Sequence, residues 1–295
     1  LYVRARHVET RVVQVVAGNL HWEPSVQAAR GVQSLAKTHN IEVQLYDAHG
    51  DMDLDLEMLR RLPDGRAQGA VIVSLHNSAF NEAVYQLKAR GFPFVLVDQR
   101  LRDIDVSSVL ADNYAGGYEA GKHLAEQGHK RIAFMGDLIA ATVQDRLAGF
   151  RDALGDADLP IKRANIVDLV AGADRFGDWS AAIADAVKQL MHDRPESDRP
   201  TAIFCSSDAV ARDVYRSLST LGVSVPNDVS IIGYDDDPLA EWLAPGLTTI
   251  RQPFQEMGKA AMELLRERIA NPTKPAQTKV LPGELVLRES VRAYR

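Results

Sequence analysis

Carboxylate, amide and guanidinium side chains follow the apolar runs of this sequence, at the points where buried strands would end. The run Val229–Ile232 is the clearest example, because three carboxylates, Asp235–Asp237, follow it almost at once. Planar polar groups can span two neighbouring hydroxyls of a ligand, and aromatic rings can pack against its apolar face. Open α/β sheets bind ligands at the carboxyl ends of their strands, so these residue types predict a site for a hydroxyl-rich molecule such as a sugar. The polar strand ends are Asn19–Trp22, Asp98–Arg100, Asp137, Ser206–Asp208 and Asp235–Asp237.

Motifs for phosphate, metal or nucleophilic chemistry are incomplete in this sequence. Gly116–His123, GGYEAGKH, has the spacing of a phosphate loop, but a histidine replaces the Ser or Thr and the glycines fall inside a predicted helix. Asp51, Asp53 and Asp55 alternate as in a calcium loop but lack the required Gly and Glu. The sequence contains no H-E-x-x-H and no G-x-S-x-G, and no G-x-G-x-x-G follows its first strand. We therefore predict no cofactor, no metal and no enzymatic activity.

The overall composition is that of a globular protein with more than one core. The chain has 295 residues, of which 46% are hydrophobic and 25% charged, and its net charge is −6. This balance indicates no strong attraction to nucleic acid or to an anionic membrane. The single cysteine, Cys205, cannot form an internal disulfide, and the sequence shows neither a signal-peptide pattern nor a membrane-spanning apolar run. We expect a cytoplasmic protein that does not contact a membrane.

Short apolar runs alternate with amphipathic helical patterns along the whole chain, which predicts parallel sheets covered by helices. Asn113 and Asp208 are placed to cap helices that end near Gly128 and Gly222, and Pro253 begins a third. Ten strands divide more naturally into two sheets of about five than into one. The predicted strands are Val12–Ala17, Ile41–Leu45, Ala70–Ser74, Pro93–Val97, Ser107–Leu110, Arg131–Met135, Ile166–Val170, Ala202–Cys205, Val229–Ile232 and Thr248–Ile250.

The segment GYDDDPLAEWLAPGLTTIRQP closely resembles the lactose-repressor/galactose-repressor (LacI/GalR) family of bacterial transcription regulators. The segments ADNYAGGYEAGKHLAEQGHKRIAFMGD, QDRLAGF, GDWSA, SSDAVARDV and ELVLRESV match it as well. The resemblance implies two similar doubly wound α/β lobes of the periplasmic-binding-protein type, joined by three crossovers. Residues 12–111 with 252–282 would form the N-terminal lobe, and residues 112–251 with 283–295 the C-terminal lobe. Residues 1–11 would be the remnant of a linker to a DNA-binding helix-turn-helix head that is absent from the chain.

The resemblance also implies which residues contact the effector. Asp235 is supported by its strand end as well, whereas Arg146 could be a surface helix residue, Trp179 a core residue and Asp208 only a helix cap. Ser207 stands where many family members carry Asn, which leaves effector choice open there. Four further candidates lie in segments that match the family less closely, namely Trp22, His21, His76 and Arg100. The predicted ligand-binding residues are Asp235, Arg146, Trp179, Asp98, Gln252, Ser207, Asp208, Phe254, Trp22, His21, His76 and Arg100.

By this resemblance the chain is expected to be the effector-sensing and dimerisation core of a transcription regulator. A sugar-like effector would bind between the lobes, and the homodimer would reach operator DNA through the helix-turn-helix head. Pentoses, hexoses, disaccharides and nucleosides all remain open as effectors, and so does the sign of the response. Two other classes are weighed, a periplasmic sugar-binding protein of a transporter and an α/β enzyme. A signal peptide upstream would favour the first, and turnover of a substrate would favour the second.

Overall fold

The computed structural model describes residues 11–73, 78–101, 104–170 and 179–294. The chain forms two compact units. The first unit comprises Leu1–Leu110 and Pro253–Leu281, and the second comprises Ala111–Gln252 and Pro282–Arg295. The chain therefore passes from one unit to the other three times. The first and third passages fall one residue before the predicted boundaries, and the second falls one residue after.

Strands and helices alternate through both units, as the sequence predicts. Among the described residues, three short 3₁₀ turns accompany them, at Leu62–Asp64, Arg163–Asn165 and Glu196–Asp198. In chain order the elements are β1 (Arg11–Ala17), α1 (Glu23–Thr38), β2 (Ile41–Asp47), α2 (Met52–Arg61), β3 (Ala70–Val73), α3 (Ser78–Ala89), β4 (Phe94–Val97), β5 (Ser108–Ala111), α4 (Asn113–Glu126), β6 (Ile132–Gly136), α5 (Ala141–Asp156), β7 (Ile166–Asp168), α6 (Ser180–Met191), β8 (Ala202–Cys205), α7 (Asp208–Thr220), β9 (Ser230–Asp235), α8 (Leu239–Trp242), β10 (Thr248–Arg251), α9 (Phe254–Ala270), β11 (Thr278–Leu281) and β12 (Glu284–Val286).

The two sheets have the same topology. Their orders are β11-β5-β4-β3-β1-β2 and β12-β10-β9-β8-β6-β7. The pairs joining β1 to β5 and β6 to β10 are all parallel, whereas β12 runs antiparallel to β10. In each sheet the first strand lies between the second and the third. The chain therefore adds the second strand on one side of the first strand and the third strand on its other side. Such a switch point, here between β1 and β3 and between β6 and β8, is where doubly wound sheets bind ligands.

Continuous apolar strands give the second unit a core on each face of its sheet, since a parallel sheet is buried on both sides. One face carries an aromatic cluster in which the ring centroids of Phe134, Phe150 and Phe204 lie 5.0–6.1 Å apart. The other face packs β6, β8 and β9 against α6 and α7, and Cys205 is buried there. Burial raises the pKa of the Cys205 thiol, so the thiol stays protonated and behaves as a small apolar group.

Glycines bring two pairs of helices into close contact. A Cβ built on Gly117 of α4 would overlap the carbonyl oxygen of Arg146 in α5, and one on Gly149 of α5 would overlap that of Tyr114. In the first unit Gly31 of α1 and Gly258 of α9 meet the opposite helix in the same way. Small residues at these positions are therefore a steric requirement of the helix contact. This accounts for Gly117 and Gly121 of the GGYEAGKH segment, which face α5 from within α4, whereas Gly116 makes room for the Tyr234 side chain.

Helix starts differ from the prediction by one residue. The cap of α4 is Asp112, whose carboxylate accepts the Ala115 N–H at 2.9 Å, so Asn113 is already helical. Similarly, Ser207 rather than Asp208 caps α7 by accepting the Val210 N–H at 3.2 Å. The predictions for Asn113 and Asp208 as caps were wrong because two adjacent polar residues compete for one cap. The residue whose backbone is not yet helical takes that position.

All ten predicted strands form, and two more were missed. Strand β9 continues three residues beyond its predicted end, to Asp235. The additional strands β11 and β12 are short and only partly buried, and they lie at the edges of the sheets. No helix in the described part of the chain is long and apolar enough to cross a membrane.

The α4–α5 contact predicts opposite effects for two glycine substitutions in the same helix. Gly149→Ala should lower the free energy of unfolding by about 1–3 kcal/mol or more, because its methyl group has no room against the Tyr114 carbonyl. Gly155→Ala should raise it by roughly 0.5–1 kcal/mol, since no atom lies within 4 Å of its added methyl group. Urea denaturation of both variants measures the difference. Equal effects would contradict the proposed steric origin.

Candidate functional site

Polar groups meet at the carboxyl ends of neighbouring strands in the second unit, around its switch point. Ser206 follows β8, Asp235 ends β9 and Gln252 follows β10, while Arg146 projects from the helix after β6. Each of these four residues is at most 8% exposed. Because buried polar groups are costly unless they are hydrogen-bonded, their partners decide what the cluster can do.

Arg146 is the centre of this cluster. Its Nε donates to Asn113 Oδ1 at 2.8 Å, and its Nη1 donates to the Ser206 carbonyl at 2.5 Å. The guanidinium carbon lies 3.7 Å from the centroid of the Tyr234 ring, a cation–π arrangement. Asp235 Oδ1 lies 3.9 Å from Nη1, too far for a hydrogen bond but close enough to balance the charge. Nη2 donates to no residue within the described ranges, so one end of the planar fork remains available.

Asp235 and Gln252 form a second buried contact. Gln252 Nε2 donates to Asp235 Oδ1 at 2.7 Å. Gln252 Oε1 is also buried and has no hydrogen-bond partner among the residues that the structure describes. Asp235 has φ of 114° and Asp236 has φ of 56°, values that are unfavourable for residues with a Cβ. Such strain is held in place by surrounding contacts and is concentrated at functional sites.

Asp236 is fixed by two arginines, and this holds the strained turn. Arg251 Nε and Arg288 Nη2 both donate to its carboxylate at 2.7 Å. Arg288 also donates to the Leu247 carbonyl at 2.9 Å. The two ion pairs explain why the chain can keep positive φ at two successive residues without glycine. Asp236 therefore stabilises the turn.

Asp208 lies beneath the strand ends and is completely buried. Thr249 Oγ1 donates to Asp208 Oδ1 at 2.6 Å, and the Asp237 N–H donates to Oδ2 at 2.8 Å. A Cβ on Gly233 would overlap Oδ1, so this glycine makes room for the carboxyl group. Desolvation, together with the charge of Asp235, raises the pKa of Asp208 well above its ordinary value. These contacts give Asp208 a structural role, linking α7 to β10 and to the turn after β9.

Two other predicted contacts of the second unit have structural partners. Ser207 uses its hydroxyl to cap α7. Trp179 directly precedes α6 and is half-buried, packed against the core on that face of the sheet. Trp179 therefore packs against the core, which was the alternative to a ligand contact. Its contact with a ligand remains a prediction.

The first unit carries a separate set of predicted residues at the ends of β1 and β4. His21 and Trp22 follow β1 and are exposed, and Trp22 directly precedes α1. Asp98 follows β4 with φ of 55° and is half-buried, whereas Arg100 is exposed. Phe254 opens α9 and is only 5% exposed, and His76 lies outside the described residues.

Gln99 is the clearest polar group without partners in the first unit. It is 1% exposed, and neither Nε2 nor Oε1 has a hydrogen-bond partner among the described residues. An unsatisfied buried amide costs about 1–3 kcal/mol, so Gln99 is placed to bond a group outside the described residues. Gln99 lies at the end of the FVLV run in the sequence, but its charged neighbours Asp98 and Arg100 were predicted as ligand contacts and Gln99 was not.

Sequence reasoning also missed three contributors to the Arg146 cluster. Asn113 was interpreted as a helix cap, Ser206 contributes only its backbone carbonyl, and Tyr234 presents its ring beside the guanidinium. The role of a backbone carbonyl as a hydrogen-bond acceptor cannot be predicted from the type of its residue. A signal for Tyr234 was available, because an aromatic residue in an otherwise aliphatic strand directly before Asp235 invites a packing partner.

The described part of the chain contains no group of three or more His, Cys, Asp or Glu residues that could hold a metal ion. The Arg146 cluster combines a guanidinium fork, a carboxylate and an amide acceptor. Such a set recognises vicinal hydroxyls, since each hydroxyl can both donate and accept.

Comparison with known proteins gives a consistent result. Residues 122–291 match the model of the periplasmic binding protein-like domain. The ribose operon repressor of Haemophilus influenzae is 32% identical over 99% of this chain and 84% of its own length. The HTH-type transcriptional repressor PurR of Aliivibrio fischeri is 31% identical, over 90% of this chain and 76% of its own.

Solved structures agree with these sequence matches. A LacI family transcriptional regulator from Enterococcus faecium with bound ribose is 29% identical, with a TM-score of 0.78 over 97% of this chain and 100% of that one. The transcriptional regulator CelR in complex with cellobiose is 27% identical, with a TM-score of 0.80 over 96% of this chain and 86% of that one.

The buried carboxyl of Asp208 predicts a pH-dependent effect on stability. A carboxyl whose pKa is raised in the folded state favours folding below its unfolded pKa, near 3.8, and loses that contribution as the pH rises. Asp208→Asn keeps an acceptor for the Asp237 N–H and an amide that can donate to Thr249. We therefore expect the variant to gain thermal stability relative to the parent as the pH rises from 4 to 8. A constant difference across that range would contradict the raised pKa.

Proposed function

The chain belongs to the LacI family of transcription regulators, with its periplasmic binding protein-like domain, and we propose that it is the sugar-sensing and dimerising core of such a regulator. The Arg146–Asp235–Gln252 cluster is the observation that carries the proposal. Its members are buried, oriented by one another and located at adjacent strand ends. Gln252 Oε1 and Arg146 Nη2 still have hydrogen-bonding capacity that the described residues do not use.

A pentose is the first effector to test. The repressor of 32% identity is named for ribose, and a structural neighbour of 29% identity holds ribose. The chemistry fits, because the guanidinium of Arg146 can donate to ring and hydroxyl oxygens while Asp235 and Gln252 accept from hydroxyls. Hexoses, cellobiose-like disaccharides and nucleosides share these groups and form the rest of the test panel. Asp98 and Gln99 of the first unit, with Trp22, Trp179 and Phe254, are proposed as further contacts.

The proposed mechanism is a shift between two arrangements of the protein. A sugar that binds one arrangement better moves the equilibrium toward it, by no more than its difference in affinity for the two. Coupling of about 1–3 kcal/mol suffices for a roughly 5–150-fold change in affinity for operator DNA. The operator is proposed to be contacted by a helix-turn-helix head joined to the N-terminal side of this core. A periplasmic transport function has weaker support, because the relatives at 31–32% identity are named as repressors.

Dimerisation is proposed on the basis of an exposed aromatic side chain in the second unit. Trp242 ends α8 and is 84% exposed, and Leu287, which follows β12, is 63% exposed. Burial of an exposed apolar side chain such as that of Leu287 by a partner contributes about 1.5–3 kcal/mol. Trp residues are also enriched among the side chains that dominate protein interfaces.

The sugar site is tested by replacing its carboxylate. Asp235→Ala should weaken ribose binding by about tenfold to a hundredfold, because it removes an acceptor and leaves Arg146 without its counter-charge. Isothermal titration calorimetry with the panel of sugars and nucleosides measures the change. Asp185→Ala, an exposed carboxylate on α6, is the control and should leave affinity unchanged. Undiminished binding by folded Asp235→Ala would refute the site, and the absence of binding by any panel member to the parent chain would refute sugar sensing.

The dimer is tested by placing a charge at the proposed contact. Trp242→Arg should raise the dimer dissociation constant at least about tenfold, because a buried unpaired charge is unfavourable in an apolar interface. Analytical ultracentrifugation over a concentration series gives the dissociation constant. Trp242→Phe keeps an apolar ring and should dimerise nearly as well as the parent. Identical sedimentation of the arginine variant and the parent would place the interface elsewhere.

A further inference from the structure

A cavity lies in the second unit, at the opposite end of the sheet from the Arg146 cluster. It has a volume of about 360 Å³. Its walls come from the segments that lead into β6, β7 and β8, so it is located at the amino ends of these parallel strands. A volume of this size is at the lower end of the range for small-molecule sites, which is about 300–1,000 Å³. The lining includes none of the residues of the Arg146 cluster.

Positive charge predominates in this cavity. Lys130, Arg131, Lys162 and Arg194 line it, together with a single carboxylate, Asp198. The chain as a whole has a net charge of −6, so four cations against one anion is a local reversal. Among the described residues, no carboxylate lies within 4.0 Å of the charged nitrogens of these four side chains. Like charges gathered without counter-ions repel one another, and a bound anion would relieve that repulsion.

The two arginines are held in place by neutral acceptors. Arg131 Nε donates to the Arg199 carbonyl at 2.8 Å. Arg194 donates at 2.6 Å to Asn165 Oδ1 through Nη1 and to the Ala164 carbonyl through Nη2. These bonds fix the orientation of the guanidinium groups but leave their charge uncompensated. A pre-oriented cation binds an anion with less loss of side-chain entropy than a mobile one.

Asn165 makes the arrangement rigid. It is 6% exposed, and its Nδ2 donates to the Ile132 carbonyl at 3.0 Å while its Oδ1 receives Arg194. A buried amide thus ties the arginine to the first residue of β6. The position of Arg194 follows from the sheet itself, in contrast to the exposed lysines Lys130 and Lys162, which are free to adapt.

The rest of the cavity is apolar. Ile132 and Leu154 are buried in the aromatic face of the core, and Leu159, Pro160 and Ile161 come from the segment between α5 and β7. Inorganic phosphate would use only the cations, whereas a molecule with an apolar body would also cover the accessible surface of Leu159, Pro160 and Ile161. Burial of apolar area contributes about 25 cal/mol per Å², so the floor favours the second kind of ligand.

We propose that this cavity binds a small organic anion, with a phosphate or carboxylate facing Lys130, Arg131, Lys162 and Arg194 and an apolar ring or chain on the leucine and isoleucine floor. Such a ligand is chemically different from the sugar proposed for the Arg146 cluster. The inference does not depend on that cluster, and it adds a second ligand class to the same unit.

Phenyl phosphate is the probe, because it combines a phosphate dianion with a ring. Calorimetry with the whole chain should give saturable binding that is at least about fivefold tighter than that of inorganic phosphate, since only phenyl phosphate covers the floor. The Lys130→Gln/Lys162→Gln double variant should bind phenyl phosphate at least about tenfold more weakly, because it loses two charges. Neither lysine makes a hydrogen bond or ion pair within the described ranges, so the fold should be unaffected.

The control is Lys122→Gln/Lys188→Gln, which removes the same charge from exposed positions of α4 and α6 that do not line the cavity. It should bind phenyl phosphate like the parent. Equal loss in both double variants would show a general charge effect and overturn the proposal. So would equal affinity for inorganic and phenyl phosphate, or binding of a DNA oligonucleotide through these lysines without binding of phenyl phosphate. An absence of saturable binding at millimolar phenyl phosphate would overturn it as well.

Discussion

Burial of the Arg146 guanidinium is the constraint on which the second unit depends. A charge that is only 5% exposed must be matched by acceptors, and removal of one partner of a buried charge typically costs about 3–5 kcal/mol. The acceptors come from different elements, Asn113 at the start of α4 and the Ser206 carbonyl after β8. The α4–α5 contact determines both the packing and the hydrogen bonding of Arg146. Gly117 of α4 packs against the backbone of Arg146, while Asn113 at the start of α4 accepts from its guanidinium group. Close packing of α4 on α5 therefore places Asn113 within reach of the guanidinium, and the site is a consequence of the helix pair.

Much of this fold could be predicted from sequence because buried parallel strands are continuous apolar runs, and all ten of those runs are strands. The missed strands, β11 and β12, have half-exposed residues at sheet edges, where apolar patterning is weak. Cap positions were wrong by one residue at α4 and α7 for a different reason. Asp112 and Asn113, like Ser207 and Asp208, are both capable caps, and only the path of the backbone selects between them. Local chemistry identifies the turn, while tertiary structure assigns the roles within it.

The candidate site could be predicted only in part. Asp235 is visible from its position directly after an apolar run, and Gln252 from the next strand along the sheet. Arg146 lies within α5, where no local pattern distinguishes it from a surface arginine, so its place came from family resemblance. The buried position of Asp208 could not be inferred, because it depends on Gly233 lacking a side chain one strand away and on Thr249 a further strand away. Contacts between adjacent strands at their ends are set by register, which residue types do not reveal.

The two ends of the sheet in the second unit differ in whether their arginines have a carboxylate nearby. At the carboxyl ends, each charge has a partner of the other sign or a hydrogen-bonding acceptor, as in Arg146 with Asp235 and Arg288 with Asp236. A site of balanced charge binds neutral ligands without leaving a net charge buried, which suits a polyol. At the amino ends, Arg131 and Arg194 are oriented by neutral carbonyl and amide oxygens, so their charge is retained. An anion there supplies the missing counter-charge. Its binding requires no existing ion pair to be broken, because the two arginines have no carboxylate partner among the described residues. Arg146, Arg131 and Arg194 all donate to neutral oxygens, and only Arg146 also has a carboxylate within 4.0 Å among the described residues. The presence of this nearby carboxylate thus decides which class of ligand each end of the sheet can accept.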